Sequence, residues 1–180
     1  ILAAGNPTDP ATGLLRSETG EVTIDGPREA VLIDTPRTAG GFAVEGDSLK
    51  TSAGVSVSVL ETDATVWVSS LDRKPIVESR RLLVTHLTDC QNTDIRYGEK
   101  ARRTLLAWGR LPHLVRAGKA DVRLRLGNAA GLKVYALSTA GRRLGEVPSR
   151  VEAGALAFTA DAAGAAAGQT AVLCYEVAGP

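Results

Sequence analysis

The chain has 180 residues, 44% hydrophobic and 23% charged, with 21 basic against 20 acidic residues and a net charge of +1. That length suits one domain able to bury roughly 70% of the surface its unfolded chain exposes, so neither a metal nor a disulfide staple is required. The near-neutral balance excludes a strong non-specific nucleic-acid binder, and no apolar run reaches the ~18 residues of a membrane helix, so neither nucleic acid nor membrane is an expected partner.

Residues 1–15 contain Gly5, Asn6-Pro7, Asp9-Pro10 and Gly13, and read as a linker or a segment belonging to a preceding domain. Ile1 opens the chain without a methionine, a basic leader or a long apolar run, and no methionine occurs anywhere, as in a piece of a longer protein. Residues 16–180 read as a single domain. Apolar/polar alternation with the strand period of two dominates it. Strands are expected at 21–25, 30–34 and 41–44. Over 54–60, Val55, Val57 and Val59 alternate with Ser56 and Ser58; over 64–70, Val66 and Val68 alternate with Thr65, Trp67 and Ser69. With only Glu61-Thr62-Asp63 between them, these two read as an antiparallel hairpin.

Further strands are expected at 82–87 and 104–107, then at 120–126, where Val122, Leu124 and Leu126 alternate with Arg123 and Arg125. A turn at 127–131 leads to a strand over 132–137, and a second turn at 138–141 leads to one over 142–147 that Pro148 ends. Strands at 155–159 and 171–177 close the series. Between them, the alanine-rich stretch 161–168 reads as one helical turn or a loop, since it holds Gly164 and Gly168. About a dozen short strands at this spacing predict an all-β, antiparallel β-sandwich, jelly-roll-like.

Catalytic chemistry is hard to assemble from these residues. There is no G-x-S-x-G elbow and no S-x-x-K, and the two histidines, His86 and His113, read as structural hydrogen-bonders. Gly164 to Thr170 lacks the spacing and the lysine of a phosphate loop. His86, Cys90, His113 and Cys174 are zinc-ligand types without zinc-site spacing. No cofactor is expected, although Asp89, Asn92 and Asp94 offer oxygens that could hold calcium or make Asx-turns. Cys90 and Cys174 could pair as a disulfide in an exported protein or stand as two buried thiols. The basic pairs Arg80-Arg81, Arg102-Arg103 and Arg142-Arg143 read as strand-edge and turn charges, with Arg80 or Arg81 bridging to Glu78 or Asp72.

Sugar binding fits the residues better, because pyranose rings stack on flat aromatics while short polar and planar charged groups bond the hydroxyls. Of seven aromatics, Tyr135, Phe158 and Tyr175 lie in strand patterns and read as core, and Trp67 faces either solvent or a second sheet. Tyr97 is the best candidate for exposure, and Trp108 is followed by Gly109-Arg110. Loops at 91–99 and 108–110 would then bring together Asn92, Arg96, Tyr97, Trp108 and Arg110 as a carbohydrate-binding set.

Several strings carry a resemblance. They are Ser17-Glu18-Thr19-Gly20-Glu21, Ile33-Asp34-Thr35-Pro36-Arg37-Thr38, Val68-Ser69-Ser70-Leu71-Asp72-Arg73-Lys74-Pro75-Ile76 and Glu78-Ser79-Arg80-Arg81-Leu82-Leu83-Val84-Thr85, followed by Asn92-Thr93. Val134-Tyr135-Ala136-Leu137, Gly141-Arg142-Arg143 and Glu146-Val147-Pro148 complete them. Over residues 16–177 the chain resembles a domain found at the C-terminal end of large bacterial glycoside hydrolases and related carbohydrate-active proteins. The resemblance implies a β-sandwich beside a catalytic domain of the same parent, outside the cell or in the periplasm. It implies a non-catalytic accessory role in polysaccharide degradation, with a polysaccharide or oligosaccharide as partner. The alternative is a purely structural domain that orients the catalytic domain. It carries over no catalytic residue.

Overall fold

Strands that alternate apolar and polar side chains can bury the apolar set only if a second sheet covers that face. The computed structural model, which describes residues 5–164 and 170–179, meets this requirement with two antiparallel layers. In chain order the strands are β1 (Leu14–Arg16), β2 (Val22–Asp25), β3 (Ala30–Asp34), β4 (Thr38–Ala43), β5 (Ser48–Lys50) and β6 (Val55–Glu61). β7 (Ala64–Ser70), β8 (Arg81–Leu87), β9 (Cys90–Thr93), β10 (Arg96–Tyr97), β11 (Leu105–Ala107) and β12 (Arg110–Val115) follow. The series ends with β13 (Lys119–Arg125), β14 (Lys133–Leu137), β15 (Arg143–Val147), β16 (Ser149–Glu152), β17 (Ala155–Asp161) and β18 (Cys174–Ala178).

The larger sheet has nine strands in the order β1-β2-β3-β4-β7-β8-β18-β14-β15, and the smaller has five in the order β16-β17-β13-β6-β5. The all-β sandwich read from the sequence is therefore present, with more strands than alternation revealed. One local expectation fails: β6 and β7 are not a hairpin. β6 pairs with β5 and β13, and β7 pairs with β4 and β8, so Glu61–Asp63 carries the chain from one layer to the other. Both strands bring an inward set of valines, and placing them in opposite layers lets Val55, Val57 and Val59 be buried in the same core as Val66 and Val68. Thr62, with a φ of 64°, makes the tight turn. The segment before residue 16 is also not wholly irregular, since Leu14–Arg16 forms the edge strand β1 on β2.

The core also takes Leu82 and Val84 from β8, Val122 and Leu124 from β13, Leu156 and Phe158 from β17, and Val134, Tyr175 and Val177 from β14 and β18. Each such side chain contributes about 1.5–3 kcal/mol of burial. Phe158 and Tyr175 pack with ring centroids 5.5 Å apart. The Tyr175 hydroxyl accepts from the Asp161 N–H at 2.8 Å and donates to the Asp161 carbonyl at 3.0 Å, tying the end of β17 to β18. Tyr135 departs from the expected core role and lies half-buried under Arg143, whose guanidinium carbon is 3.8 Å from the ring centroid.

The resemblance-bearing strings have local structural work. Asp34 at the end of β3 accepts from the Ser52 N–H, the Ser52 hydroxyl and the Ala53 N–H, pinning one layer to the loop of the other. Asp72 accepts from the Ser70 and Ser79 hydroxyls and the Arg80 N–H at 2.8–2.9 Å, and from the Lys74 N–H at 3.4 Å. The Arg80 backbone bond leads in holding this carboxyl well below the usual carboxylate range. The side-chain bridges expected from Arg80 and Arg81 are absent from this loop: Arg80 serves Asp72 through its backbone, and Arg81 reaches Glu176 on β18.

His86 points into the core from β8, fully buried, and among the described residues neither ring nitrogen has a hydrogen-bond partner. Burial pushes its pKa down, with Asp161 opposing weakly. The unfolded chain takes up this proton near pH 6.5, above the folded value, so the neutral ring's contribution is complete above that pH and declines as the pH falls below it. Urea midpoints measured from pH 7.5 to 5 are therefore expected to fall more steeply for the native chain than for His86→Leu. Parallel curves would show that the imidazole finds a proton acceptor.

Candidate functional site

Between β8 and β13 the chain leaves the sandwich as an arm, residues 88–117. Its stem is the antiparallel pair of β9 and β12, with Cys90 opposite Val115, Gln91 opposite Leu114 and Asn92 opposite His113. Between the two stem strands the chain makes the short pair β10 and β11. The two parts meet at Gly109, whose φ is +73° and where a side chain would overlap the Thr93 carbonyl.

The turn joining β10 to β11 is held by Glu99, whose carboxylate accepts the backbone N–H groups of Arg103 and Thr104. Arg102 reaches back to the base of the arm, donating from both terminal nitrogens to the two oxygens of Asp89 at 3.2 and 2.8 Å. Arg116 adds a 3.7 Å ion pair to the same carboxylate. The Arg102 bond outweighs the opposing effect of burial and holds the Asp89 carboxyl at about 2. A group lowered in this way contributes fully above its unfolded pKa and loses that contribution as the pH drops through its folded value. Amide exchange at residues 96–107 is expected to accelerate as the pH falls from 5 towards 2, once corrected for the intrinsic rate. At neutral pH, Arg102→Ala should reproduce the acceleration; unchanged exchange would mean the tether does not order the arm.

The five residues read as a carbohydrate-binding set all lie on this arm. Trp108 is 75% exposed. Asn92 is central: its amide donates to the Trp108 carbonyl at 2.8 Å and its oxygen bonds His113 Nδ1 at 2.8 Å. Arg110 donates to Asp94 at 2.8 Å. Tyr97 is only half-buried rather than fully open, with the Arg102 guanidinium 6.0 Å from its ring centroid. Arg96 is exposed and opens β10. A cleft of about 380 Å³ beside the stem is lined by Asp89, Gln91, Asn92, Asp94, Leu114 and Arg116, among others.

The oxygens considered for calcium already have partners, Asp89 and Asp94 in arginines and the Asn92 oxygen in His113 Nδ1. Among the described residues no three His, Cys, Asp or Glu side chains group to hold a metal. Cys90 and Cys174 are both free thiols, Cys90 exposed on the arm and Cys174 half-buried on β18, so neither the disulfide nor the pair of buried thiols describes them. Gly164 belongs to a turn in which Asp161 accepts the Ala163 and Gly164 N–H groups, and the rest of the 164–170 string falls mainly outside the described residues.

Sequence reasoning missed the stem strands and the exposed Leu106, Leu111 and Leu114, at 62%, 70% and 52%. It also missed the outer face of the large sheet. Across that face Leu15, Ile24, Val31, Phe42, Thr65 and Leu87 form one continuous cross-strand row, and Val22, Ile33, Gly40, Trp67, Thr85 and Cys174 form the next. Trp67 thus lies away from the core, half-buried. Among the described residues no helix is long and apolar enough to cross a membrane. Comparison of the chain with protein-family models, curated proteins and solved structures finds no match.

Proposed function

We propose that this chain is a non-catalytic accessory domain of a bacterial, secreted, polysaccharide-degrading glycoside hydrolase, and that its arm contacts carbohydrate. The observation that carries this reading is Trp108, a flat aromatic 75% exposed on an arm with polar neighbours, Asn92 bonded to the Trp108 carbonyl and Arg110 to Asp94. An indole held by a rigid stem can cover one face of a pyranose ring while Asn92, Arg96 and Arg110 reach its hydroxyls. Affinity-gel and glycan-array measurements on the folded chain are expected to show retention on one polysaccharide class. Trp108→Ala should weaken it by about 2 kcal/mol, roughly thirtyfold. Tyr97→Ala should cost less, because that ring is partly covered already.

A second reading rests on the apolar outer face of the large sheet, where Val22 and Ile24 are 40% and 43% exposed. Such a face, broader than the isolated apolar residues of ordinary surfaces, suits a structural domain packed on its catalytic neighbour. Ile24→Lys with Leu87→Lys would then leave the stability of this chain unchanged and lower that of the full-length parent. Failure of every glycan to retain a folded sample would favour this second reading.

A further inference from the structure

The arm concentrates charge that the whole-chain balance conceals. Residues 88–117 hold six of the 21 basic residues and three of the 20 acidic ones, so the other residues carry 15 basic against 17 acidic. Each acid in the arm is committed: Asp89 to Arg102 and Arg116, Asp94 to Arg110, and Glu99 to backbone N–H groups of its own turn. That leaves Arg96, Lys100 and Arg103 exposed on β10 and the turn after it, and among the described residues no acidic side chain forms an ion pair with them. Trp108 follows directly on β11, the strand after this turn.

From this arrangement we infer that the arm's ligand is an anionic polysaccharide, one bearing carboxylate or sulfate groups; the inference rests on the carbohydrate reading above. Three uncompensated cations within eight residues of sequence, on a chain otherwise slightly acidic, form a local positive field complementary to a repeating negative charge. Arginine additionally matches carboxylate and sulfate with paired N–H donors. The exposed indole supplies what a simple ion exchanger lacks, a surface for the sugar ring itself.

The test uses the full chain in affinity gels containing matched pairs with one backbone each: dextran against dextran sulfate, and polygalacturonate against its methyl ester. Stronger retardation by the charged member is expected in at least one pair, tenfold or more in apparent affinity. Which pair responds distinguishes sulfate from carboxylate. Raising the salt from 50 to 500 mM should weaken binding, since exposed charges are screened over about 10 Å at 0.1 M. Arg96→Gln with Lys100→Gln and Arg103→Gln should remove the preference for the charged member, whereas Lys74→Gln with Arg80→Gln and Arg142→Gln should not. Trp108→Ala should weaken retardation by both about thirtyfold.

Equal retardation by charged and neutral members overturns the inference while the carbohydrate reading stands. Retardation by the charged members that Trp108→Ala leaves undiminished, or that both triple variants reduce equally, also overturns it, as general ion exchange. Absence of retardation in these gels and across a panel of neutral glycans overturns both.

Discussion

Gly41→Ala is expected to abolish folding. β4 runs between β3 and β7, paired on both sides, and Gly41 sits opposite Leu32 on one neighbour and Val66 on the other. Its φ is +155°, and a Cβ built there would overlap the Val31 carbonyl oxygen and lie 2.8 Å from the Val31 carbonyl carbon and 3.1 Å from the Leu32 Cα. All three are backbone atoms of β3, so relief means opening the β3–β4 pairing in the middle of the large sheet. Loss of that pairing exceeds what a domain with about 5–15 kcal/mol of total stability can absorb. Gly46→Ala is the matched control: its φ is +83°, yet nothing lies within 4 Å of the added carbon, so it should cost only about 1 kcal/mol. Urea unfolding followed by circular dichroism separates the two. A cooperative transition for Gly41→Ala within ~1 kcal/mol of the native chain would show that β4 is not seated as described.

The second large effect concerns Glu176. This carboxylate lies on β18 with a side chain 9% exposed, and it accepts from Arg81 Nε and Arg143 Nε, each at 2.7 Å. Burial alone pushes its pKa up, and the two arginine bonds more than offset this, leaving it below the ordinary glutamate value. Arg81→Met with Arg143→Met keeps the stems and deletes both donors, leaving a buried carboxylate unpaired at a cost of about 3–5 kcal/mol at pH 7. The sign of its pH dependence should reverse. In the native chain Glu176 contributes above its unfolded pKa, near 4.3, and loses that contribution as the pH falls. In the double variant, burial without donors raises the folded pKa, so stability is regained as protonation proceeds. Urea midpoints at pH 7 and 4.5 test this: the deficit of the double variant should shrink at the lower pH. A constant deficit would assign the loss to packing rather than charge.

Alternation located the strands that bury one face, because Val55, Val57 and Val59 or Val122 and Leu124 leave an unmistakable period of two. It could not say which layer each strand joins, since β6 and β7 present the same pattern whether they pair with each other or face each other across the core. The arm was legible in part. Asn92, Arg96, Tyr97, Trp108 and Arg110 were singled out by residue type, and the structure gathers them on one excursion. Its stem was not legible: β9 and β12 stand outside the sandwich, and five of the six β12 residues are exposed, so no hydrophobic face records them. The outer rows of the large sheet escaped for a related reason. Phe42 and Trp67 lie on the outward faces of β4 and β7, where Trp67 sits between Thr65 and Ser69, and a sequence cannot assign that face to a partner it does not contain. The Arg81–Glu176 pair spans 95 positions, a separation no local pattern encodes.

The position of β18 has a consequence for how the chain acquires its structure during synthesis. This strand, the last among the described residues, lies between β8 and β14 and joins the β1–β8 half of the large sheet to the β14–β15 hairpin. A nascent chain lacking residues 174–178 therefore has two separate sheet fragments with unpaired inner edges, each a template for mispairing. Because translation proceeds at about 5–20 residues per second, those edges stay open until this strand clears the ribosome, and the sandwich closes in a late, long-range step rather than growing from the N-terminus.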